Sequence, residues 1–480
     1  DPHRNGMGTM DVLLTPNQKG KPGYETYLND RVTTVAQILR DSGYHTYMSG
    51  KWHLGHNQQN WPYNRGFEQS FALLHGGATM WNGSFPIEAI KVMWASNNQL
   101  VPYPNGKYSS DLYADKIIDM VAKKHVDNKP FFGYLSFQAN HWPLGAPANY
   151  LSANKGRYDM GWDKLREQRL DNEKKLGLIT DSAELSPRAA GVKPWNQLTA
   201  AEMSNDSKKM EVYAADAQAM DYNIGKVLNY LKKIGEYNNT LIMFTSDNGG
   251  EGQQVENLKG TPAIRSAFQK FISSLNTTEP NMGNWNSFVG YGPGWAQVSN
   301  TPFRGYKGDL TEGGIRVPFI MKLPGSNPTH GIVNGFATGY DLVPTFLDYA
   351  KATYPDTYKG NKIEPLAGKS MFPFLEQKNL ANLHPENETI PLEYLGVKAV
   401  YKGNWKAINL PKAFGGDNQW HLYDISIDPQ ESTDLSKEQP AVIKDMITAY
   451  DQYANQTHII PPDYAFLGMS APGEIDFDEN

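Results

Sequence analysis

Apolar positions along this chain follow two periods. Val32, Val35, Ala36 and Leu39 recur at helical spacing before Gly43, and Ala114, Ile117, Ile118 and Val121 repeat the pattern. Tyr213, Ala217, Met220, Ile224, Val227 and Leu231 line one face of a stretch from about Lys208 to Lys233. These spacings predict three amphipathic helices. Apolar or β-like runs of strand length lie between and after them, at His45 to Ser49, Phe131 to Phe137, Leu241 to Thr245 and Val317 to Met321. Strands alternating with helices predict βαβ units, and so an α/β fold whose large, mostly parallel sheet is covered on both faces.

Two long polar stretches, Asn149 to Asp206 and Glu251 to Asn300, read as loops at strand ends. The second carries Trp285, Tyr291 and Trp295, which either staple the loop or stack on a ligand. After a helix-like Asp341 to Ala350 and a Pro/Gly-rich Tyr354 to Gly368 the texture changes. Val397 to Tyr401, a Lys402-Gly403-Asn404 turn and Trp405 to Leu410 predict a hairpin, Trp420 to Ile425 a further strand, and Pro440 to Tyr453 a last helix. The expected organisation is a large domain over 1–370 and a small antiparallel α+β domain over 371–480.

Composition narrows the function classes. With Lys+Arg 45 against Asp+Glu 51 and a net charge of -6, the chain lacks the basic surface that nucleic-acid binding needs. No apolar stretch approaches the roughly 20 residues of a membrane span. The absence of cysteine removes disulfides and thiolate metal sites. Oligomeric state is not legible; for compartment, a periplasmic or secreted location is kept ahead of a cytoplasmic one.

The chemistry sits at the strand ends. The run after Leu241 stops at Asp247-Asn248-Gly249, a carboxylate beside a carboxamide, and ligands in open α/β sheets lie beyond the carboxyl ends of strands. Asp-Asn-Gly is also an ordinary turn, but its two oxygens suit a hard cation, Ca²⁺ or Mg²⁺. Gly50-Lys51-Trp52-His53-Leu54-Gly55 follows the first strand, and Lys51 and His53, two apart, face one side if the chain stays extended. His141, in Asn140-His141-Trp142-Pro143, follows the second strand, and Lys307 lies in the glycine-rich Arg304-Gly305-Tyr306-Lys307-Gly308. Each piece alone is weak, because single loop lysines and histidines are usually solvated or structural. Together, two lysines, two histidines and a hard-oxygen pair point to an anion. Arg304 and Glu312 read as an ion pair at the surface or behind the site.

These segments resemble the sulfatase family of the alkaline-phosphatase-like superfamily, most closely its bacterial arylsulfatase type. The likeness rests on Gly50 to Gly55, His141-Trp142-Pro143, Ser246 to Gly249 and Tyr306-Lys307, and extends to Pro22 to Arg31, Leu422-Tyr423-Asp424, Asp428-Pro429 and Asp434-Leu435. It implies hydrolysis of a small-molecule sulfate ester to an alcohol or phenol, with Ca²⁺ in preference to Mg²⁺ held partly by Asp247 and Asn248. It further implies Lys51 and His53 at the nucleophile end, where His53 helps deprotonate the hydrate, and His141 and Lys307 on the sulfate and leaving-group side, with His141 as general acid. The family's nucleophile is a formylglycine made from Cys or Ser in a Cys-x-Pro-x-Arg-like motif. No cysteine occurs here and no serine stands in such a motif, so the chain reads as lacking the family's N-terminal segment, which also carries two metal-binding aspartates. The alternatives are a phosphodiesterase or phosphonate monoester hydrolase of the same superfamily, and a non-catalytic Ca²⁺-binding relative.

Overall fold

A computed structural model describes residues 1–81, 92–124, 127–253, 262–325, 331–376 and 382–469. Its main sheet has the order β4-β3-β2-β1-β5, from β1 (His45–Lys51), β2 (Gln69–Leu73), β3 (Trp94–Ser96), β4 (Gln99–Val101) and β5 (Phe131–Ser136). β1 pairs in parallel with β2 and β5, whereas β3 and β4 add antiparallel to β2. β1 is central and buried along nearly its whole length. Its polar side chains tolerate cover on both faces because they are paired, the Thr46 hydroxyl donating to Gly66 O at 2.7 Å and the Ser49 hydroxyl to Tyr113 O at 2.9 Å.

The helix Ser109–Lys124 packs on this sheet, placing Leu112, Tyr113, Ile117 and Val121 in one core with Tyr47, Phe71 and Leu73. Behind it runs Ala200–Lys233, started by a capping box in which the Thr199 hydroxyl accepts from the Glu202 N–H and the Glu202 carboxylate accepts from the Thr199 N–H. The helix predicted around Val32 to Leu39 forms at Val35–Asp41, where Thr34 and Gln37 make the same reciprocal cap.

Two features depart from the sequence reading. β6 (Ile242–Thr245) and β7 (Phe319–Lys322) pair with each other antiparallel, not in a βαβ unit. An apolar run encodes burial but not direction, and Pro318, with no N–H to donate, delays β7 past Val317. The polar stretches are also not plain loops. They hold the helices Ala148–Ala153, Gly161–Lys175, Pro262–Ser273 and Gly292–Ser299, with 254–261 outside the described residues. Trp162, Trp195 and Trp295 meet there edge to face, at 4.7 to 5.6 Å between ring centroids. A few large aromatics thus supply the burial that a regular apolar stripe would otherwise provide. Trp295 and Tyr291 are buried staples, while Trp285 is 62% exposed.

Beyond the short pair β8 (Thr357–Tyr358) and β9 (Asn361–Lys362), the C-terminal part is a meander of β10 (Thr389–Tyr394), β11 (Val397–Lys402), β12 (Trp405–Asn409) and β13 (Trp420–Asp424). The helix Pro440–Thr457 covers one face through Met446, Tyr450 and Tyr453. The other face, with Val397, Ala399, Ile408 and Tyr423, packs on Leu310 and Ile315. This second contact joins the C-terminal sheet to the loop that carries Lys307.

Candidate functional site

Lys51, His53, His141, Asp247, Asn248 and Lys307, from four separate segments, line one cavity of about 3340 Å³. Lys51 ends β1. A Cβ at Gly50, where φ is 125°, would lie 1.9 Å from the Ser136 carbonyl oxygen, so only glycine lets β1 approach β5 this closely. The Ser136 hydroxyl then donates to the Lys51 carbonyl at 2.6 Å. The strand does not stay extended past Lys51, because His53 takes a left-handed conformation with φ 50°. Lys51 and His53 nevertheless both face the cavity.

His141 sits on a turn after β5, with its N–H donating to the Gln138 carbonyl at 2.8 Å. Gln138 is itself held, accepting from the Tyr113 hydroxyl at 2.9 Å and donating to Ala78 O at 2.9 Å. The ring Nδ1 lies 2.7 Å from Trp142 O, and since a carbonyl only accepts, Nδ1 carries the proton.

The Asp247-Asn248 turn and the Lys307 loop interlock through backbone. The Gly249 N–H donates to Gly314 O at 2.9 Å and the Lys307 N–H to Gly250 O at 2.9 Å. A Cβ at Gly249 would stand 1.8 Å from Gly313 O. The glycines on both sides therefore permit the contact that puts Lys307 beside the hard-oxygen pair.

Electrostatics bind the group together. Burial pulls the Lys51 ammonium down to about 8, against the attraction of Asp247 and with the repulsion of Lys307. His141 lies well below its usual 6.5, first through burial and then through Lys307 and Lys51. The imidazole that the resemblance casts as general acid is thus biased toward its neutral form. Glu251, which the sequence did not single out, lies 3.2 Å from Lys307 Nζ. Its position two residues after Gly249 was the available signal.

Asp247 and Asn248 give two hard oxygens on one turn, the right donors for Ca²⁺ or Mg²⁺. Among the described residues, no group of three or more His, Cys, Asp or Glu is gathered for a metal. The pair is thus a partial ligand set of fitting chemistry.

Arg304 and Glu312 do not pair with each other. Glu312 is buried and accepts from Lys406 Nζ at 2.9 Å and from the Tyr401 hydroxyl. Glu431 accepts from Arg304 Nε at 3.1 Å and from the Glu312 N–H at 3.0 Å, and its other oxygen lies 2.9 Å from Lys406 Nζ as an ionic contact without hydrogen-bond alignment.

The comparisons with known proteins agree with one another. A sulfatase family model matches residues 1–352, and one for the C-terminal region of N-sulphoglucosamine sulphohydrolase matches 307–456. An uncharacterized sulfatase of Schizosaccharomyces pombe is 39% identical, covering 99% of this chain and 87% of that protein. An arylsulfatase of Klebsiella aerogenes is 35% identical over 76% of this chain and 77% of its own length. Among solved structures, one in complex with its substrate D-glucosamine-2-N,6-O-disulfate superposes with a TM-score of 0.56 at 19% identity, over 95% of this chain and 88% of that one. Another, in complex with a neocarrahexaose, gives 0.61 at 22% identity, over 94% and 79%. At such identities the structural likeness speaks for the fold, which is alkaline-phosphatase-like.

Proposed function

The chain belongs to the sulfatase family of sulfuric ester hydrolases, and from that premise we propose that it acts in the arylsulfatase manner, cleaving sulfate monoesters to a phenol or alcohol and sulfate. The observation that carries this reading is the gathering of Lys51, Lys307, His141 and the Asp247-Asn248 pair: the Lys307 loop is tied by backbone to the Asp247-Asn248 turn, Lys51 lies close enough to feel both Asp247 and Lys307, and His141 feels both lysines. The 35% identity to an arylsulfatase supports it.

In this reading the Lys51 and Lys307 ammonium groups neutralise the sulfate oxygens, and their preorganisation favours the charge that builds in the transition state. His53 accepts the proton released at the nucleophile. His141 faces the leaving oxygen. Burial first, then the two lysines, keep its Nε2 free of the proton at rest; the entering sulfate anion offsets the lysines, so the ring takes a proton from solvent and delivers it to the leaving oxygen. Sulfatases generally bind a divalent metal; here Asp247 and Asn248 would contribute ligands to Ca²⁺, whose chemistry is that of a Lewis acid and template. The nucleophile proposed is a formylglycine, for which these 480 residues hold no cysteine precursor.

Paired assays of the full gene product with an aryl sulfate and an aryl phosphodiester test the proposal. Preference for the sulfate is expected, and Lys307→Ala should lower kcat by about 10²-fold or more, the effect of removing one preorganised stabilising group. Preference for the diester, or a Lys307→Ala variant with normal kcat, would refute it.

A further inference from the structure

One carboxylate and two more imidazoles cluster around His53. Asp11 opens the short 3-10 turn Asp11–Leu13, where its Oδ1 accepts the Val12 N–H at 2.9 Å. The same oxygen lies 3.7 Å from His53 Nε2, and Oδ2 lies 3.4 Å from His56 Nδ1. His56 stacks on His75 with ring centroids 4.2 Å apart. His75 Nδ1 accepts the Met93 N–H at 3.2 Å, so that nitrogen carries no proton. Burial, followed by His56, pulls His75 down to about 4, and it stands as a neutral wall.

His53 is confined on the other side as well. A Cβ on Gly76 would sit 2.6 Å from its Cε1, so the ring lies flat against that backbone. The titratable groups around His53 are Asp11 from the N-terminal turn, His56 from its own loop, His75 after β2, and His141 after β5, with Lys51 at the end of β1. Within this set Asp11 is the one carboxylate, and it faces a defined ring nitrogen.

We propose that Asp11 is a positioning residue for the sulfatase reaction: its carboxylate, in ionic contact with His53 at 3.7 Å and with His56 at 3.4 Å, holds the two rings in place and stabilises the imidazolium formed when His53 takes a proton. The inference rests on the reading of His53 as the proton acceptor. A carboxylate that orients an imidazole and steadies its cation raises the basicity of the ring, as in other acid–base pairs. Asp11 is partly exposed, and its own carboxyl is held below its usual value by the two histidines against the cost of burial. It is therefore charged at any working pH, and its loss removes charge from His53 without opening a core.

The test is Asp11→Asn in the full protein, with Asp11→Glu as the conservative partner. Asparagine loses the attraction for an imidazolium, so the acid limb of kcat/KM moves to lower pH. The maximal kcat falls by about 10-fold or more, the scale of a weakened general base, while KM stays near its original value. Asp11→Glu restores part of both. Nitrogen NMR of the histidine rings reads the same coupling without turnover: the His53 ring signals of the wild-type protein and of Asp11→Asn differ across the pH range in which the acid limb moves. His53 ring signals that are the same in Asp11→Asn overturn the inference, even if kcat falls. Changed His53 signals in a protein that hydrolyses no sulfate ester would uphold the pairing of Asp11 with His53 and sink the sulfatase reading instead.

Discussion

The cavity has two walls built on opposite plans. On one, Lys307 rides a loop that is tied by backbone to the Asp247-Asn248 turn and clamped to the C-terminal sheet through Glu312, Lys406, Glu431 and Arg304. Lys406 there is 0% exposed. On the other wall, His53 stands on a left-handed loop residue, steadied by a partly exposed carboxylate at 3.7 Å and by the backbone of Gly76. A fixed charge needs to be in place before the substrate arrives, and rigidity serves it. A group that must gain and lose a proton keeps contact with water and a partner that responds to charge. On the function proposed above, the contrast would divide static electrostatics from proton transfer between the two sides of the cavity.

Removing the clamp has the largest expected effect. Lys406→Met leaves Glu312 and Glu431 buried with their shared cation gone, a change that typically costs about 3–5 kcal/mol. Arg304 and Arg316, at 3.1 and 3.5 Å from these carboxylates, stay behind and hold the loss toward the lower end. Chemical denaturation measures it. A loss below about 1 kcal/mol, the usual worth of an exposed pair such as Asp11 with His53, would erase the distinction between the walls.

Two glycines sharpen the same contrast at smaller cost. A methyl at Gly249 would meet backbone, the Gly313 carbonyl oxygen at 1.8 Å, whereas at Gly76 it would meet the His53 ring, nearest at Cε1, at 2.6 Å. Backbone on backbone cannot yield without shifting the Lys307 loop, so Gly249→Ala should cost about 1–3 kcal/mol, as overpacking does. A ring can turn, at about 0.5–1.5 kcal/mol for an off-rotamer side chain. Gly76→Ala is therefore expected to keep most of its stability while altering the pH dependence of turnover. Equal melting shifts for the two variants would count against the scheme.

What the sequence revealed follows from what short-range patterns encode. Apolar runs bounded by glycine and proline located β1, β5 and the C-terminal hairpin within a residue or two, and strand ends pointed to Lys51, His141 and Asp247. The antiparallel direction of β7 was not legible, since it depends on where the intervening helices turn. Nor were the helices around Trp162 and Trp295, whose few aromatics are diluted among charged residues. Glu312 looked like a partner for Arg304, close by in sequence, but its cation is Lys406, 94 residues away. Asp11 likewise meets His53, and His75 meets His56, through tertiary contact alone. Local signals found the groups that end strands and missed those that hold them.

A last effect, similar in size to that at Gly76, concerns the half-buried lysine at the end of β1. Burial lowers Lys51 from 10.5 to about 8, so its ammonium, and with it one of the two charges facing a bound anion, is lost as pH rises through that value. Inhibition by inorganic sulfate should weaken by up to about tenfold, worth about 1.4 kcal/mol, between pH 7 and 9 in the wild-type protein. It should stay nearly level in Lys51→Arg, whose guanidinium keeps its proton. Unfolding does not produce the same trend. The unfolded chain holds the Lys51 proton up to its ordinary value, so it binds more protons than the fold between about 8 and 10.5, and the contribution of Lys51 to stability rises with pH across that window. Binding and stability therefore move in opposite directions, and a sulfate affinity that stays flat in the wild-type protein would remove Lys51 from the anion site.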